Sequence, residues 1–172
     1  EPLAPPRVLR QLAHDVVEVA TPVLTRNPAL TEDDLISVAM TTSDAHRQIV
    51  AGRPHISERV TDALLERGNL PVARRLAANT TARISRSGFD RLLSRSRSDD
   101  ILQKLLAERK DMSLAHVHQL IDFAGDAARE RLRLVMPDVD ADVINKAIHT
   151  ETDHAHVLAG TATTRRDFSK AI

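Results

Sequence analysis

The chain has 172 residues, of which 42% are hydrophobic and 28% are charged, a composition typical of one globular domain with a buried core. Its 24 Lys and Arg residues balance 24 Asp and Glu residues, so the formal net charge is zero with the histidines neutral. The absence of Cys excludes disulfides and thiolate metal sites, and the absence of Trp and Tyr leaves no large aromatic platform for stacking bases or sugars.

The N-terminal segment is predicted to be helical. We expect a first helix over about residues 7–20, with Pro22 kinking it or separating it from a short helix before Asn27, because proline lacks the amide N–H that a helix interior uses. These helices are expected to cover one end of the structure that follows. The chain begins at Glu1 rather than Met, which is compatible with a fragment of a longer protein.

A short pattern then recurs five times, in which an apolar anchor follows a polar or Pro-containing turn and precedes Thr, Ser or Asp. The anchors, separated by 26, 28, 28 and 27 residues, are Leu30, Ile56, Ile84, Met112 and Val139. Eight and nine positions after each anchor stands an apolar pair; the pairs are Val38/Ala39, Leu64/Leu65, Leu92/Leu93, Leu120/Ile121 and Ala147/Ile148. A period of this length predicts a repeat architecture.

Each copy of the pattern predicts the start of a helix, because the polar residue after the anchor can accept a hydrogen bond from the first free amides. These caps are Thr31, Ser57, Ser85, Ser113 and Asp140. A second helix is predicted in each repeat, over about residues 43–51, 71–78, 98–108 and 126–135. Gly68 followed by Asn69 predicts a helix end and a new cap, with Pro71 near the first helical position.

Two short helices cannot bury both of their apolar faces alone, so neighbouring repeats must stack. We therefore predict an all-α fold, a right-handed α-solenoid of about five two-helix, HEAT-like repeats; no strand pattern persists along the chain. The predicted organisation is a single domain with N-terminal capping helices over residues 1–26, repeats over 27–148 and a C-terminal helical segment over 149–172.

Three segments of the repeats carry a resemblance to a known family. The segments VATPVLTRNPALTEDDLI, IVAGRPHISERVTDALLERGN and LAANTTARISRSGFDRLLSRS resemble a bacterial family of domains of unknown function, number 2336. The resemblance covers roughly residues 12–135 and implies a helical repeat, without implying catalytic or ligand-binding residues. The repeat also resembles the leucine-rich-variant class, whose cysteine-bound cluster cannot transfer to a chain without Cys.

Charge is spread unevenly along the sequence. Residues 70–110 contain ten Lys and Arg against four Asp and Glu, a net charge of about +6, and each flanking segment is near −3. We predict a partner-binding surface in this region, and its candidate residues are Arg83, Arg86, Arg91, Arg95 and Arg97. The second helix of each repeat is expected to line the concave face, with Arg86, Arg91 and Arg95 as contacts. The alternative interpretation is a solvated face balanced by acids on neighbouring repeats.

The one pattern that resembles a set of metal ligands is rich in histidine. On a helix, His149, Asp153 and His156 lie one and two turns apart, a spacing that could hold zinc or nickel, although a polar helix without a ligand is the simpler interpretation. The sequence contains no recognisable nucleophile motif or Gly-rich phosphate loop. We therefore predict a protein that is not an enzyme and needs no cofactor.

The sequence thus predicts a helical-repeat scaffold that binds an acidic or phosphate-bearing protein partner through its central arginines. The alternative function is a regulatory module that binds a nucleotide or nucleic acid, although the lack of Trp and Tyr and a pI near 7.4 disfavour nucleic acid. A homo-oligomer is compatible with the sequence. No apolar run reaches the roughly 20 residues that span a bilayer, and no signal peptide opens the chain, so we predict no membrane partner and a cytoplasmic location.

Overall fold

The computed structural model describes residues 5–136, which contain ten α-helices and no strand. The helices in this range are α1 (Pro6–Ala13), α2 (Val17–Arg26), α3 (Glu32–Thr41), α4 (Asp44–Ala51), α5 (Glu58–Arg67), α6 (Leu70–Ala78), α7 (Arg86–Ser96), α8 (Asp100–Ala107), α9 (Leu114–Phe123) and α10 (Asp126–Val135). The predicted all-α class is confirmed for these residues. None of these helices is long and apolar enough to cross a membrane.

The predicted helix starts are confirmed for four of the five copies of the pattern. The side chains of Thr31, Ser57, Ser85 and Ser113 each accept a hydrogen bond from the backbone amide three residues later. Their oxygens thereby satisfy one of the free amides of α3, α5, α7 and α9. The fifth copy, with Val139 and Asp140, lies outside the described residues.

The turn between α5 and α6 follows the prediction closely. Gly68 ends α5, and the side chain of Asn69 accepts the Val72 amide at 3.2 Å to start α6. A Cβ atom at position 68 would stand 2.5 Å from the Leu64 carbonyl oxygen and 2.6 Å from Val72 Cγ1. The backbone and the next helix therefore approach closely here because residue 68 has no side chain.

The helices pack in two series. In the described residues, α3, α5, α7 and α9 contact one another in succession, and so do α2, α4, α6, α8 and α10. Consecutive helices such as α5 and α6 also touch, which joins the two series around a continuous core. The anchors Leu30, Ile56, Ile84 and Met112 are buried in that core, as are their apolar pairs up to Leu120/Ile121.

Polar side chains connect successive even-numbered helices. The Arg53 guanidinium, just after α4, donates to the Leu24 and Asn27 carbonyl oxygens at 2.5 and 3.0 Å. The Asn79 amide, just after α6, donates to two carbonyl oxygens at the end of α4, at 2.9 and 2.7 Å. Arg109, just after α8, donates to the Asn79 carbonyl oxygen at 2.8 Å. The ends of α2, α4, α6 and α8 are thus bonded one to the next along this series.

The odd-numbered helices are connected through their caps. The hydroxyl of Ser57 donates to the Glu32 carboxylate, and that of Ser85 donates to the Asp62 carboxylate at 2.7 Å. The Nε2 atom of His116 lies 3.2 Å from the Asp90 carboxylate. The residues that start these helices, or face their starts, therefore also join neighbouring helices of the odd-numbered series.

The prediction for the N-terminal segment was wrong about where the helix breaks. The interruption falls at residues 14–16, and Pro22 lies inside α2 rather than between two helices. The Thr21 and Thr25 hydroxyls donate to the Val17 and Thr21 carbonyl oxygens, both at 2.6 Å, so two neighbouring turns keep extra hydrogen bonds around the missing amide. Proline alone therefore did not mark the boundary.

Candidate partner-binding surface

Helix α7 carries most of the predicted binding residues, and its apolar face fixes their direction. Phe89, Leu92 and Leu93 are buried in the core, so the residues between them turn outward. The Ser85 hydroxyl accepts the Gly88 amide at 2.9 Å and secures the first turn. The start of α7 and its outward residues are thereby held in one orientation.

Arg86 and Arg91 are exposed on this outward side, and neither has an ion pair or hydrogen-bond acceptor within residues 5–136. Between them in sequence stands Asp90, whose carboxylate contacts the buried His116. We call the exposed side chains of Arg86, Asp90 and Arg91 the α7 surface. It presents two guanidinium groups with unused donors, which suits carboxylate or phosphate oxygens.

Arg95 is placed differently, although it shares α7 with them. Its guanidinium is half-buried and donates to the Leu65 and Gly68 carbonyl oxygens at 2.6 and 2.8 Å. Burial lowers the pKa of Arg95, and the positive charge of Arg91 lowers it further. The side chain of Arg95 therefore satisfies the last carbonyls of α5, and its donors are already engaged.

The other two predicted residues lie at the ends of α7. Arg83, in the turn before it, is exposed and stands 3.9 Å from the Glu58 carboxylate. The guanidinium of Arg97 lies 4.9 Å from the centre of the Phe123 ring, at a distance where the cation and the ring attract. The five arginines thus have separate surroundings: within residues 5–136, Arg86, Arg91 and Arg97 have no hydrogen-bond acceptor, and of these Arg97 lies over the Phe123 ring.

The expectation that these arginines join the second helices of the repeats was wrong. Arg86, Arg91 and Arg95 all lie on α7, which is the first helix of its repeat and packs with α5 and α9. The second helices, α4, α6 and α8, carry other side chains. The assignment failed because the Ser85 cap places residues 86–96 in a first helix.

A shallow cleft of about 380 Å³ opens beside the α7 surface. Its lining residues are Ile84, Arg86, Phe89, Asp111, Ser113, Ala115 and His116. The Ser113 hydroxyl lies 3.0 Å from Nδ1 of His116, and Asp90 lies on the other ring nitrogen. Ser113 also caps α9, so this Ser–His–Asp arrangement is engaged in holding α9 against α7.

Sequence reasoning missed the structural arginines. Arg109 is 1% exposed, and besides Asn79 it donates to the Ala82 carbonyl oxygen at 2.9 Å and to both oxygens of Asp111 at 2.8 and 2.6 Å. Arg53 and Arg109 each stand three residues before an anchor, Ile56 and Met112. That shared position was the available signal for their role.

The metal candidates His149, Asp153 and His156 lie outside the described residues. Within residues 5–136, no group of three or more His, Cys, Asp or Glu side chains could hold a metal ion. His46 is buried between Ser43 Oγ and the Asp15 carbonyl oxygen, both at 2.8 Å, so both of its ring nitrogens are engaged within the fold.

The described residues define an all-helical domain whose helices pack in two series and whose α7 surface is cationic. The chain belongs to the family described as an uncharacterised protein conserved in bacteria (DUF2336), whose profile matches residues 19–171. No curated protein and no solved structure matches the chain.

Proposed function

We propose that this chain is a protein-interaction scaffold that binds an acidic or phosphate-bearing protein partner on the α7 surface. In this proposal the helices form a right-handed, HEAT-like α-solenoid of about five two-helix repeats. The contacts between every second helix and the recurring caps support that architecture, because each repeat then buries its apolar faces against its neighbours.

The exposure of Arg86 and Arg91 is the observation that carries the proposal. Arg53, Arg95 and Arg109 donate to backbone carbonyls, whereas these two guanidiniums have no acceptor within residues 5–136. A guanidinium binds a carboxylate or phosphate through two parallel hydrogen bonds, and charged hydrogen bonds of this kind contribute about 1.5–3 kcal/mol each.

The alternative, a nucleotide or nucleic-acid binding module, has less support at this site. The cleft beside Arg86 is near the lower end of the roughly 300–1,000 Å³ of ligand pockets. Arg86 is the only Arg or Lys in its lining and the Asp111 carboxylate also lines it, so the cleft itself offers little net positive charge to a chain of phosphates. The aromatic rings in its lining, Phe89 and His116, are both buried and so offer no exposed face on which a base could stack.

The proposal is tested by removing the two arginines together. The Arg86→Ala/Arg91→Ala variant should bind a fluorescein-labelled oligo-glutamate peptide, or the same peptide bearing phosphoserines, at least about tenfold more weakly in fluorescence anisotropy, because each lost ion contact costs on the order of 1.4 kcal/mol or more. Binding by the wild type should weaken steadily with added salt.

The matched control is Arg26→Ala/Arg67→Ala, which removes two exposed arginines from α2 and α5 and changes the net charge equally. Its affinity should stay within about twofold of the wild type. If both double variants lost the same affinity for the peptide, net charge alone would explain the effect, which would contradict the proposal. Tighter binding of a labelled oligothymidylate than of either peptide would favour the nucleic-acid alternative.

A further inference from the structure

Two histidines occupy the same place in their helices, His46 in α4 and His116 in α9. Each is the third residue after the N-cap, and its Nδ1 atom lies beside the hydroxyl of that cap, at 2.8 Å from Ser43 Oγ and 3.0 Å from Ser113 Oγ. Both imidazoles are buried. The local structure is therefore shared, and the group on the other ring nitrogen distinguishes the two sites.

That group is neutral at His46 and charged at His116. The Nε2 atom of His46 lies 2.8 Å from the Asp15 backbone carbonyl oxygen. The Nε2 atom of His116 lies 3.2 Å from the carboxylate of Asp90, on the neighbouring helix α7. A carboxylate attracts an imidazolium through its full negative charge, which a carbonyl oxygen lacks. The contact at His116 therefore links the charge of a buried histidine to a carboxylate on α7.

Asp90 also differs from the residue that stands at its place in the preceding odd-numbered helix. Asp62 in α5 and Asp90 in α7 are both the fifth residue after the N-cap, and both contact the next helix of the series. Asp62 accepts the Ser85 hydroxyl at 2.7 Å, a group that keeps its charge throughout the ordinary pH range. Asp90 meets an imidazole instead, the kind of side chain that ordinarily changes its charge between pH 5 and 8.

The Asp90 carboxylate takes part in the α7 surface as well as in this contact. Its side chain is 56% exposed, so the same group faces both His116 and solvent. Arg86 stands four residues earlier, which makes the two side chains neighbours on the helix with Cβ atoms about 5–6 Å apart. Arg91 directly follows Asp90. The negative charge of Asp90 therefore opposes part of the attraction that the two guanidinium groups exert on an anionic partner.

The other charged groups near the His116 ring come from α7 and from the turn before α9. Arg86 lines the same cleft as the ring. Asp111 lines it as well, and both of its carboxylate oxygens accept hydrogen bonds from Arg109. Helices α8 and α10 contribute no residue to this cleft. Within the described residues, Asp90 is thus the charged group in hydrogen-bond contact with the ring.

We infer that His116 makes the affinity of the α7 surface depend on pH, with tighter binding of an acidic partner when its ring is protonated. The imidazolium pairs with Asp90 and offsets the negative charge that opposes the partner. Affinity for an acidic segment accordingly rises as the pH falls through the titration of the ring, and a bound segment favours the protonated form in return. The inference rests on the proposed function, because it concerns the regulation of the same surface.

The experiment measures the affinity for the labelled oligo-glutamate peptide by fluorescence anisotropy between pH 6 and pH 8, at constant low ionic strength. The wild type should bind about threefold more tightly at pH 6, the factor that a unit charge about 6 Å away produces in water. His116→Gln cannot take up a proton and should keep the affinity of pH 8 throughout. His118→Gln, at an exposed position of the same helix, should keep the dependence of the wild type.

Asp90→Asn tests the same link from the exposed side. It keeps an oxygen that can accept from His116 but removes the negative charge, so it should bind about threefold more tightly than the wild type at pH 8 and lose most of the pH dependence. Should His116→Gln lose its helical circular dichroism, Asp90→Asn decides alone, because its side chain is largely exposed.

Two results would overturn the inference: the same pH dependence in His116→Gln as in the wild type, or an affinity of Asp90→Asn at pH 8 that equals that of the wild type. Wild-type binding that does not change between pH 6 and pH 8, yet is lost in Arg86→Ala/Arg91→Ala, would also overturn it and leave the proposed function standing. Binding that persists in the double arginine variant would instead contradict the proposed function.

Discussion

The connections between neighbouring helices and the outward side of α7 both use arginine, but in opposite ways. Arg53, Arg95 and Arg109 reach back one helix within their series and donate to carbonyl oxygens. Arg86 and Arg91 extend into solvent with no acceptor within residues 5–136. In the first region the guanidinium groups bind carbonyl oxygens at the C-terminal ends of helices, where the helix dipole is negative. In the second it remains available to a partner.

The difference shows that a count of charges along the sequence overestimates the positive charge that the surface offers to a partner. The central segment has a net charge of about +6, yet several of its cations are already engaged within the fold. Arg109 is buried, Arg95 bonds α5, and Arg74 pairs with Asp99 at the start of α8. The charge that can attract a partner is accordingly smaller than the sequence indicates.

Replacing Arg109 should have the largest effect on stability. Arg109→Ala removes donors from the Asn79 and Ala82 carbonyl oxygens, leaves the Asp111 carboxylate without its partner, and opens a cavity beside Phe89. We expect a loss of about 3–5 kcal/mol in the free energy of unfolding, measured by urea denaturation. Arg109→Lys keeps the charge but loses the fork of donors, so it should recover only part of this loss.

Two substitutions on α7, at Arg95 and at Arg91, test whether the engaged arginine contributes more to stability than the exposed one. Arg95→Ala is expected to cost about 2 kcal/mol, because two carbonyl oxygens at the end of α5 lose a charged donor. Arg91→Ala, one turn earlier on the same helix, should change the free energy of unfolding by less than about 0.5 kcal/mol. Both variants are measured in parallel urea titrations. Equal losses in their free energy of unfolding would contradict the claim that Arg95 is structural and Arg91 is not.

The ion pair between Arg74 and Asp99 should have a smaller effect that depends on pH. The hydrogen bond from Arg74 holds the pKa of the Asp99 carboxyl below its ordinary value, despite the opposing effect of burial. Asp99→Asn keeps a side-chain cap on α8 and should cost about 1 kcal/mol at pH 7.

The sign of the pH dependence follows from the lowered pKa. As the pH falls, the unfolded state takes up the proton first, near pH 4, so the contribution of Asp99 is complete above that value. It disappears as the pH falls through the lower pKa of the folded protein. The difference in stability between the wild type and Asp99→Asn should therefore shrink between pH 5 and pH 2 in thermal or urea unfolding, and a constant difference would contradict the assignment.

Local features of the fold could be predicted from the sequence because their causes lie within a few residues. A hydroxyl such as Ser57 or Ser113 caps the helix that follows it immediately, and the apolar pair two turns later defines the buried face. The second helices likewise start within two residues of their predicted positions, as at Asp99 and Gly125.

The roles of individual arginines could not be predicted because they depend on groups 26–32 residues away. Arg53 and Arg109 bind carbonyls of the preceding helix pair, and the only local feature that separates them from Arg86 is their place three residues before an anchor. Pro22 failed as a marker because α2 continues through it, with the Thr21 and Thr25 hydroxyls bonded to carbonyl oxygens of the neighbouring turns.

The succession of contacts between every second helix limits how far a local disturbance can travel. Within the even-numbered series of residues 5–136, the extensive contacts join adjacent helices, so α2 is linked to α8 through the helices between them. Amide hydrogen exchange should consequently be slowest near α5 and α6, which have neighbours on both sides, and fastest at α1. Fraying can thus begin at α1 while the central helices keep their packing.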